Sequence, residues 1–331
     1  MSEQDQKPST DEAAESWTWL VQAVLAVLLL AGAGTLLHYY APPSADGLAE
    51  QIAELHKQVE RLQQEQAMPA MVLQRYRDSI CYIHGVYRVG FPGQSPRLRA
   101  RVSGTGFVVA HGLIATNRHV AEPWYGDPEA DAVIGLGATP SLEKLVAFFP
   151  GSPTPVDLDP TVVSANTDLA ILHLEFSPLI EKLAPLPLAT EPGPAGDIVT
   201  VIGYPMGVAG MVAKSPTGIY ERLAFRRDDI GAASELAALS LIRPSATCGH
   251  LGDVVGDKLI YDAPTAHGGS GGPVFNSQGK VIGVNSAFID GFSGGTLGIS
   301  VESLLPLIAA ADHKIPVSDV RVSIPASSKS R

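Results

Sequence analysis

The sequence predicts a mainly β protein: two packed β-barrels with a cleft between them, preceded by a membrane-crossing helix and a short helical stalk. Three observations carry this prediction. From about residue 73 onward, short β-prone runs alternate with Gly and Pro turns; residues 20–37 are almost wholly apolar; and apolar residues recur at helical spacing across residues 48–62.

The composition fits. The chain has 331 residues, 45% hydrophobic and 17% charged, enough to bury a substantial core, and its 33 Gly and 26 Pro suit a turn-rich β protein better than a helical bundle. The net charge is -11 and no Lys/Arg cluster is present to track a phosphate backbone, which argues against nucleic acid as a partner. The two cysteines, Cys81 and Cys248, lie far apart without metal-ligand spacing. Zinc and iron–sulfur chemistry are therefore not indicated, no cofactor is implied, and the cysteines read as two buried thiols, with one disulfide as the alternative in an oxidising compartment.

Residues 1–16 form a polar tail carrying Glu3, Asp5, Asp11, Glu12 and Glu15 against Lys7 alone. Residues 17–40 follow as the candidate span: residues 20–37 are interrupted only by Gln22 and Thr35, with Trp17 and Trp19 at one end and Tyr39 and Tyr40 at the other. At ~1.5 Å per residue this run crosses a bilayer's hydrocarbon core, flanked by interfacial aromatics. Ala31-Gly32-Ala33 would serve as a signal-peptide cut site, but an acidic start is the wrong charge for a signal sequence. Neither flank is strongly basic, so the charge rule leaves the orientation open.

Residues 41–69 read as a linker with a short helix. Leu48, Ile52, Leu55, Val59 and Leu62 alternate spacings of four and three, with Glu50, Glu54, Lys57, Glu60 and Arg61 between them, and Pro69 is expected to end the pattern. Two readings stand: a coiled-coil stalk gathering two or three copies, or an amphipathic helix lying on the following domain.

Residues 70–315 then form the β-rich domain, and 316–331 a disordered tail. Phe107-Val108-Val109-Ala110 and Leu113-Ile114-Ala115-Thr116 read as a hairpin joined by His111-Gly112, the Gly supplying a positive φ. Residues 169–174, 198–202 and 280–286 are further strands. No internal repeat is visible.

Three runs in this domain carry chemistry: Thr116-Asn117-Arg118-His119-Val120, Thr167-Asp168-Leu169-Ala170-Ile171-Leu172, and Gly268-Gly269-Ser270-Gly271-Gly272-Pro273. A serine hydroxyl is a poor nucleophile until an imidazole takes its proton, and that imidazole must be held in one tautomer. Ser270 would attack, His119 would act as base and then acid, and Asp168 would orient His119. The backbone N–H groups of Gly268 and Ser270 would receive the developing oxyanion. The run around Ser270 also matches the G-x-S-x-G elbow of esterases, but that elbow needs a helix after the serine and the acid and histidine downstream. Here Pro273-Val274-Phe275 leads into a strand, and downstream only Asp290 and His313 are available.

These runs, with Gly104-Thr105-Gly106-Phe107-Val108-Val109, Gly203-Tyr204-Pro205-Met206-Gly207 and Gly279-Lys280-Val281-Ile282-Gly283-Val284-Asn285-Ser286-Ala287, make the chain resemble the trypsin-like serine proteases of chymotrypsin fold, and among them the membrane-tethered HtrA or Deg group. The resemblance covers roughly residues 104–305. It implies an endopeptidase acting on unfolded or extended protein segments, placed on the periplasmic side of a bacterial inner membrane as a single-pass protein. A catalytically quiet, membrane-tethered binding protein of the same fold is the alternative.

By resemblance, Pro264 stands where trypsin-like pockets carry an acid, and Asn285, Ser286, Ala287, Gly298, Ile299 and Ser300 would line the pocket, favouring a small or medium aliphatic side chain before the cut. Gly269 stands where zymogen-type relatives place an Asp and the HtrA group often an Asn. Activation by a newly cut N-terminus is thus not expected, and the extra backbone freedom would leave the oxyanion loop mobile. His267, just upstream, reads as a solvated loop residue. Residues 220–243 exceed the family core, with residues 232–242 expected as a helix stopped before Pro244, an inserted loop that reads either as a lid or partner surface or as a passive surface excursion. His250, Asp253 and Asp257 are weak as a metal cluster. The residues after 305 are too few for the C-terminal PDZ domain common in HtrA proteases.

Overall fold

The computed structural model describes residues 10–40, 45–174, 177–288 and 295–312. The expected tail at 316–331 lies outside these, as do Asp290 and His313. The chain forms two compact units, residues 1–63 and 64–331.

The first unit holds α1 (Thr10–Tyr40) and most of α2 (Ala45–Tyr76). Within α1, Trp17–Tyr39 is a stretch of mean hydropathy 2.3 with none of its most apolar window buried in protein, long enough to cross a bilayer. Thr35 Oγ1 donates to the carbonyls of Ala31 and Gly32, so this polar side chain is satisfied within the helix. In α2 the stripe of Leu48, Ile52, Leu55, Val59 and Leu62 is exposed.

Pro69 does not end that helix, which continues to Tyr76. The reason is tertiary packing: Met68 and Val72 are buried, and the Tyr76 ring stacks on Phe275 at 5.6 Å. That burial outweighs the hydrogen bond and steric freedom a proline removes from a helix interior.

The second unit is two closed six-stranded antiparallel barrels. The first is built from β1 (Ile80–Gly90), β2 (Leu98–Ala110), β3 (Leu113–Thr116), β4 (Thr139–Phe148), β5 (Val156–Val163) and β6 (Ala170–Leu174), in the spatial order β1-β2-β3-β6-β5-β4. Between β3 and β4 lie α3 (Arg118–Ala121) and α4 (Pro128–Ile134). After β7 (Ile198–Gly203) come three short helices, α5 (Gly207–Ala213), α6 (Thr217–Leu223) and α7 (Asp229–Ala238). Then β8 (Ser245–Val255), β9 (Lys258–Tyr261), β10 (Pro273–Phe275), β11 (Val281–Phe288) and β12 (Thr296–Ser300) close the second barrel, followed by α8 (Val301–Asp312), which packs on strands of both barrels. The second barrel's order, β7-β8-β9-β12-β11-β10, repeats that of the first.

The β2–β3 hairpin turns at Gly112 with φ +71°, as expected of a tight turn. Each barrel has its own apolar core, around Ile83, Ile114, Phe149 and Leu172 in one and Val199, Leu251, Tyr261 and Ile282 in the other. A third cluster joins the barrels through Tyr82, Phe107, Tyr204, Phe275 and Leu304.

The 220–243 segment packs inward, with Leu223, Ala232, Ala233, Leu236, Ala237 and Ile242 belonging to that third cluster. Its main helix also begins and ends earlier than expected. Asp228 caps the start, its carboxylate accepting from the Gly231 N–H at 3.1 Å. Left-handed Ser240 (φ +56°) and a bond from Leu241 N–H to the Leu236 carbonyl close the end, so Pro244 is not the stop signal.

The cysteines sit in different barrels, on β1 and β8, and both are free. Cys81 is buried, which pushes its thiol pKa far up, whereas Cys248 is exposed, correcting the expectation of two buried thiols.

Candidate active site

Each candidate triad residue is set by a local device. Ser164 makes a turn before β6, its Oγ accepting from the N–H of Asn166, the N–H of Thr167 and the Thr167 hydroxyl, and Asp168 follows at once. Asn117 lies at the start of α3 and donates from Nδ2 to the Asp168 carbonyl at 2.8 Å, tying that turn to the helix carrying His119. Arg118 adds a second tie, donating to the Ser164 carbonyl and pairing with Glu122.

The carboxylate of Asp168 then grips His119 twice. Its Oδ1 accepts from the His119 backbone N–H at 2.9 Å and its Oδ2 lies 2.7 Å from Nδ1, which fixes Nδ1 as the donor and leaves Nε2 free to take a proton. Asp168 is largely buried, which alone would raise its pKa. The His119 ring, its charge and backbone N–H, and the Ser286 hydroxyl together reverse this and hold the carboxyl below its ordinary value.

Ser270 joins this group through one intermediary. Its hydroxyl donates to the Ser286 carbonyl at 2.8 Å, and the Ser286 hydroxyl donates to Asp168 Oδ2 at 2.8 Å. Among the described residues no hydrogen bond runs from Ser270 to His119. The barrels meet here: β3 and β6 deliver His119 and Asp168, the turn before β10 delivers Ser270, and Thr105 N–H donates to the Ser270 carbonyl at 2.8 Å.

The loop from His267 to Gly271 is held rather than loose. Among the described residues the N–H groups of Gly268 and Ser270 have no acceptor in the protein, whereas Gly269 N–H bonds the Ala266 carbonyl and Gly271 N–H bonds the Asn285 carbonyl. Gly269 sits in a close approach: a Cβ there would lie 2.5 Å from Thr265 Oγ1 and 3.0 Å from the Ala266 carbonyl oxygen.

The predicted pocket residues divide. Ser286 belongs to the triad's own network, and Pro264 is exposed, its carbonyl accepting from Thr247 Oγ1. Asn285, Ile299 and Ser300 are all buried, with Asn285 hydrogen-bonded to Tyr261, Thr265 and Gly269, Ile299 packed in the core shared by the barrels, and Ser300 fully enclosed. Gly298 is buried beneath the Tyr261 ring, and Ala287 lies in β11 paired with Leu297. Sequence reasoning missed the roles of Thr105 and Tyr261 and named Ser286 only as a pocket residue, because their bonds to distant segments leave no local signal.

No group of three or more His, Cys, Asp or Glu side chains placed to hold a metal exists among the described residues. His267 is exposed, and its carbonyl accepts from the Met206 N–H. A cavity of about 660 Å³ opens between α2, the turn at Pro150 and Gly151, and residues 240–244, and it contains none of the candidate residues.

The family model described as trypsin-like peptidase domain matches residues 104–284. The chain belongs to this family. As a trypsin-like peptidase it is 30% identical over 211 residues to a probable periplasmic serine endoprotease, DegP-like, of Rhizobium meliloti, covering 63% of this chain and 32% of that protein. It is 28% identical over 190 residues to the serine protease Rv3671c of Mycobacterium tuberculosis, covering 57% of this chain and 37% of that one. The chain thus spans about a third of the length of the curated relatives it matches. Among solved structures, the active form of the M. tuberculosis Rv3671c protease is similar at 18% identity and a TM-score of 0.48, covering 72% of this chain and 82% of that one. The serine endoprotease of Yersinia pestis is similar at 17% identity and a TM-score of 0.47, covering 77% and 68%.

Proposed function

We propose that this trypsin-like peptidase is a membrane-anchored serine endopeptidase cleaving peptide bonds of unfolded or extended protein segments. The observation that carries this reading is the double grip of Asp168 on His119, at 2.9 and 2.7 Å, with Ser270 joined to the same carboxylate through Ser286.

In the mechanism, Ser270 rotates from the Ser286 carbonyl toward His119 Nε2, which takes its proton as the hydroxyl oxygen attacks the scissile carbonyl. Asp168 holds the ring's tautomer and stabilises the imidazolium. The unpaired N–H groups of Gly268 and Ser270 receive the oxyanion. His119 then protonates the leaving amine, and a water activated by the same imidazole hydrolyses the acyl-enzyme.

The apolar stretch Trp17–Tyr39 supports a single-pass anchor, and the periplasmic names of the DegP-like relatives support a bacterial inner membrane with the peptidase unit in the periplasm.

A second reading, a quiet binding protein that keeps the fold, draws on the Ser270 hydroxyl donating to Ser286 and not to His119. The full chain in detergent micelles decides between them. The endopeptidase reading expects casein cleavage and fluorophosphonate labelling, both abolished in Ser270→Ala; intact casein and no labelling of the parent chain would favour the binding protein.

A further inference from the structure

The oxyanion donors are useful only if the peptide planes that carry them are fixed, and three successive planes are each held by the carbonyl end. The His267 carbonyl accepts from the Met206 N–H at 2.6 Å, the Gly268 carbonyl from Thr105 Oγ1 at 2.7 Å, and the Gly269 carbonyl from Asn285 Nδ2 at 2.8 Å. In a trans peptide the N–H points opposite to its C=O. Holding the His267 carbonyl therefore aims the Gly268 N–H, and holding the Gly269 carbonyl aims the Ser270 N–H, the two amides left without an acceptor.

The third hold is itself supported. Asn285 is 1% exposed and its amide is fully used: Oδ1 accepts from the Tyr261 hydroxyl at 2.7 Å, while Nδ2 donates to Thr265 Oγ1 at 3.1 Å and to Gly269. The Tyr261 donor settles which end of the amide faces which way, because only the acceptor oxygen can meet it. Burial raises the Tyr261 pKa well above its ordinary value, so it remains a neutral donor. Thr105 is placed as closely, its Oγ1 accepting from the Tyr204 N–H while donating to Gly268.

We propose that Asn285, oriented by Tyr261, is a positioning residue of the oxyanion hole: through the Gly269 carbonyl it sets the direction of the Ser270 N–H. This rests on the endopeptidase reading above. It also separates Asn285 from a pocket-lining role, since neither Asn285 nor Tyr261 needs to touch substrate. Gly272 N–H donates to the same carbonyl at 3.1 Å, so loss of Asn285 loosens the plane without freeing it entirely.

The test compares the full-length parent chain, Asn285→Ala and Tyr261→Phe in detergent micelles, measuring peptide hydrolysis and binding of a peptide aldehyde, which forms a tetrahedral oxyanion on the serine. Misaiming one donor should lower kcat roughly 10²-fold in Asn285→Ala and to a lesser degree in Tyr261→Phe, with KM within about twofold and aldehyde affinity falling in proportion to kcat. Tyr261→Phe keeps the ring and serves if Asn285→Ala fails to fold. A rise in KM with kcat and aldehyde affinity unchanged overturns the proposal and returns Asn285 to the pocket. Crystal structures supply a readout independent of turnover: a rotated Gly269–Ser270 peptide in the variants supports the brace, and an unchanged peptide overturns it. Hydrolysis persisting in Ser270→Ala, or absent from the parent chain, counts against the endopeptidase reading, and the peptide's orientation then still decides the brace.

Discussion

Asp168 is held from three directions, by the His119 backbone, the His119 ring and the Ser286 hydroxyl. Its pKa lies below the ordinary 3.8 in the folded chain. It therefore contributes stability that is fully present above the unfolded value of about 3.9 and is lost as pH falls through the folded value. Ser286→Ala removes one charge-assisted donor, which costs roughly 1.5 kcal/mol or somewhat more at neutral pH, and it raises the folded pKa. The melting temperature of Ser286→Ala should fall below that of the parent at pH 7, with the gap narrowing toward pH 3; a gap constant across that range would show that the bond is not coupled to the Asp168 charge. At this scale the sequence was most informative for the candidate triad, of which the structure pairs His119 with Asp168 directly. His119, Asp168 and Ser270 were legible as candidates because each sits in a short run beside a strand: His119 in the helix just after β3, Asp168 just before β6 and Ser270 in the turn before β10. Ser286 and Asn285 were legible only as expected pocket residues and Tyr261 not at all, because their hydrogen bonds close between distant segments, which no local pattern records.

Helix α2 shows how tertiary packing overrides local propensity. Pro69 reads as a terminator, yet the helix runs on for two turns because Met68 (5% exposed) and Val72 (3% exposed) pack over the turn at Gly279 and Tyr76 stacks on Phe275. Met68→Ala should destabilise the peptidase unit by about 2–5 kcal/mol, read as a lower urea midpoint; an unchanged midpoint would mean that the helix end is not part of the cooperative core. The same lesson applies to α7, whose limits are set by the Asp228 cap and the left-handed Ser240 rather than by Pro244. β1, nearly all buried on both faces, lacks the alternation that reveals a strand, and so it stayed hidden although it pairs with both β2 and β4.

For the whole molecule, the double barrel was legible from strand density and turn residues, but the repetition of one strand order in both barrels was not. Topology is conserved here without similarity in side chains, so nothing in the residues repeats. The apolar helix was legible because a stretch able to span a bilayer must be long and apolar whatever surrounds it. Membranes from bacteria expressing the full chain should retain it through an alkaline carbonate wash, and deletion of residues 17–40 should release it to the supernatant; a parent chain that washes off would sink the anchor.

In the endopeptidase proposed above, the Ser270 hydroxyl, resting 2.8 Å from the Ser286 carbonyl, has to turn about its own side-chain torsion to reach His119. Partly exposed side chains make such hops in picoseconds to nanoseconds. In the mechanism proposed above, ending such a resting state would require neither chain scission nor a moving domain, only the turn of one hydroxyl.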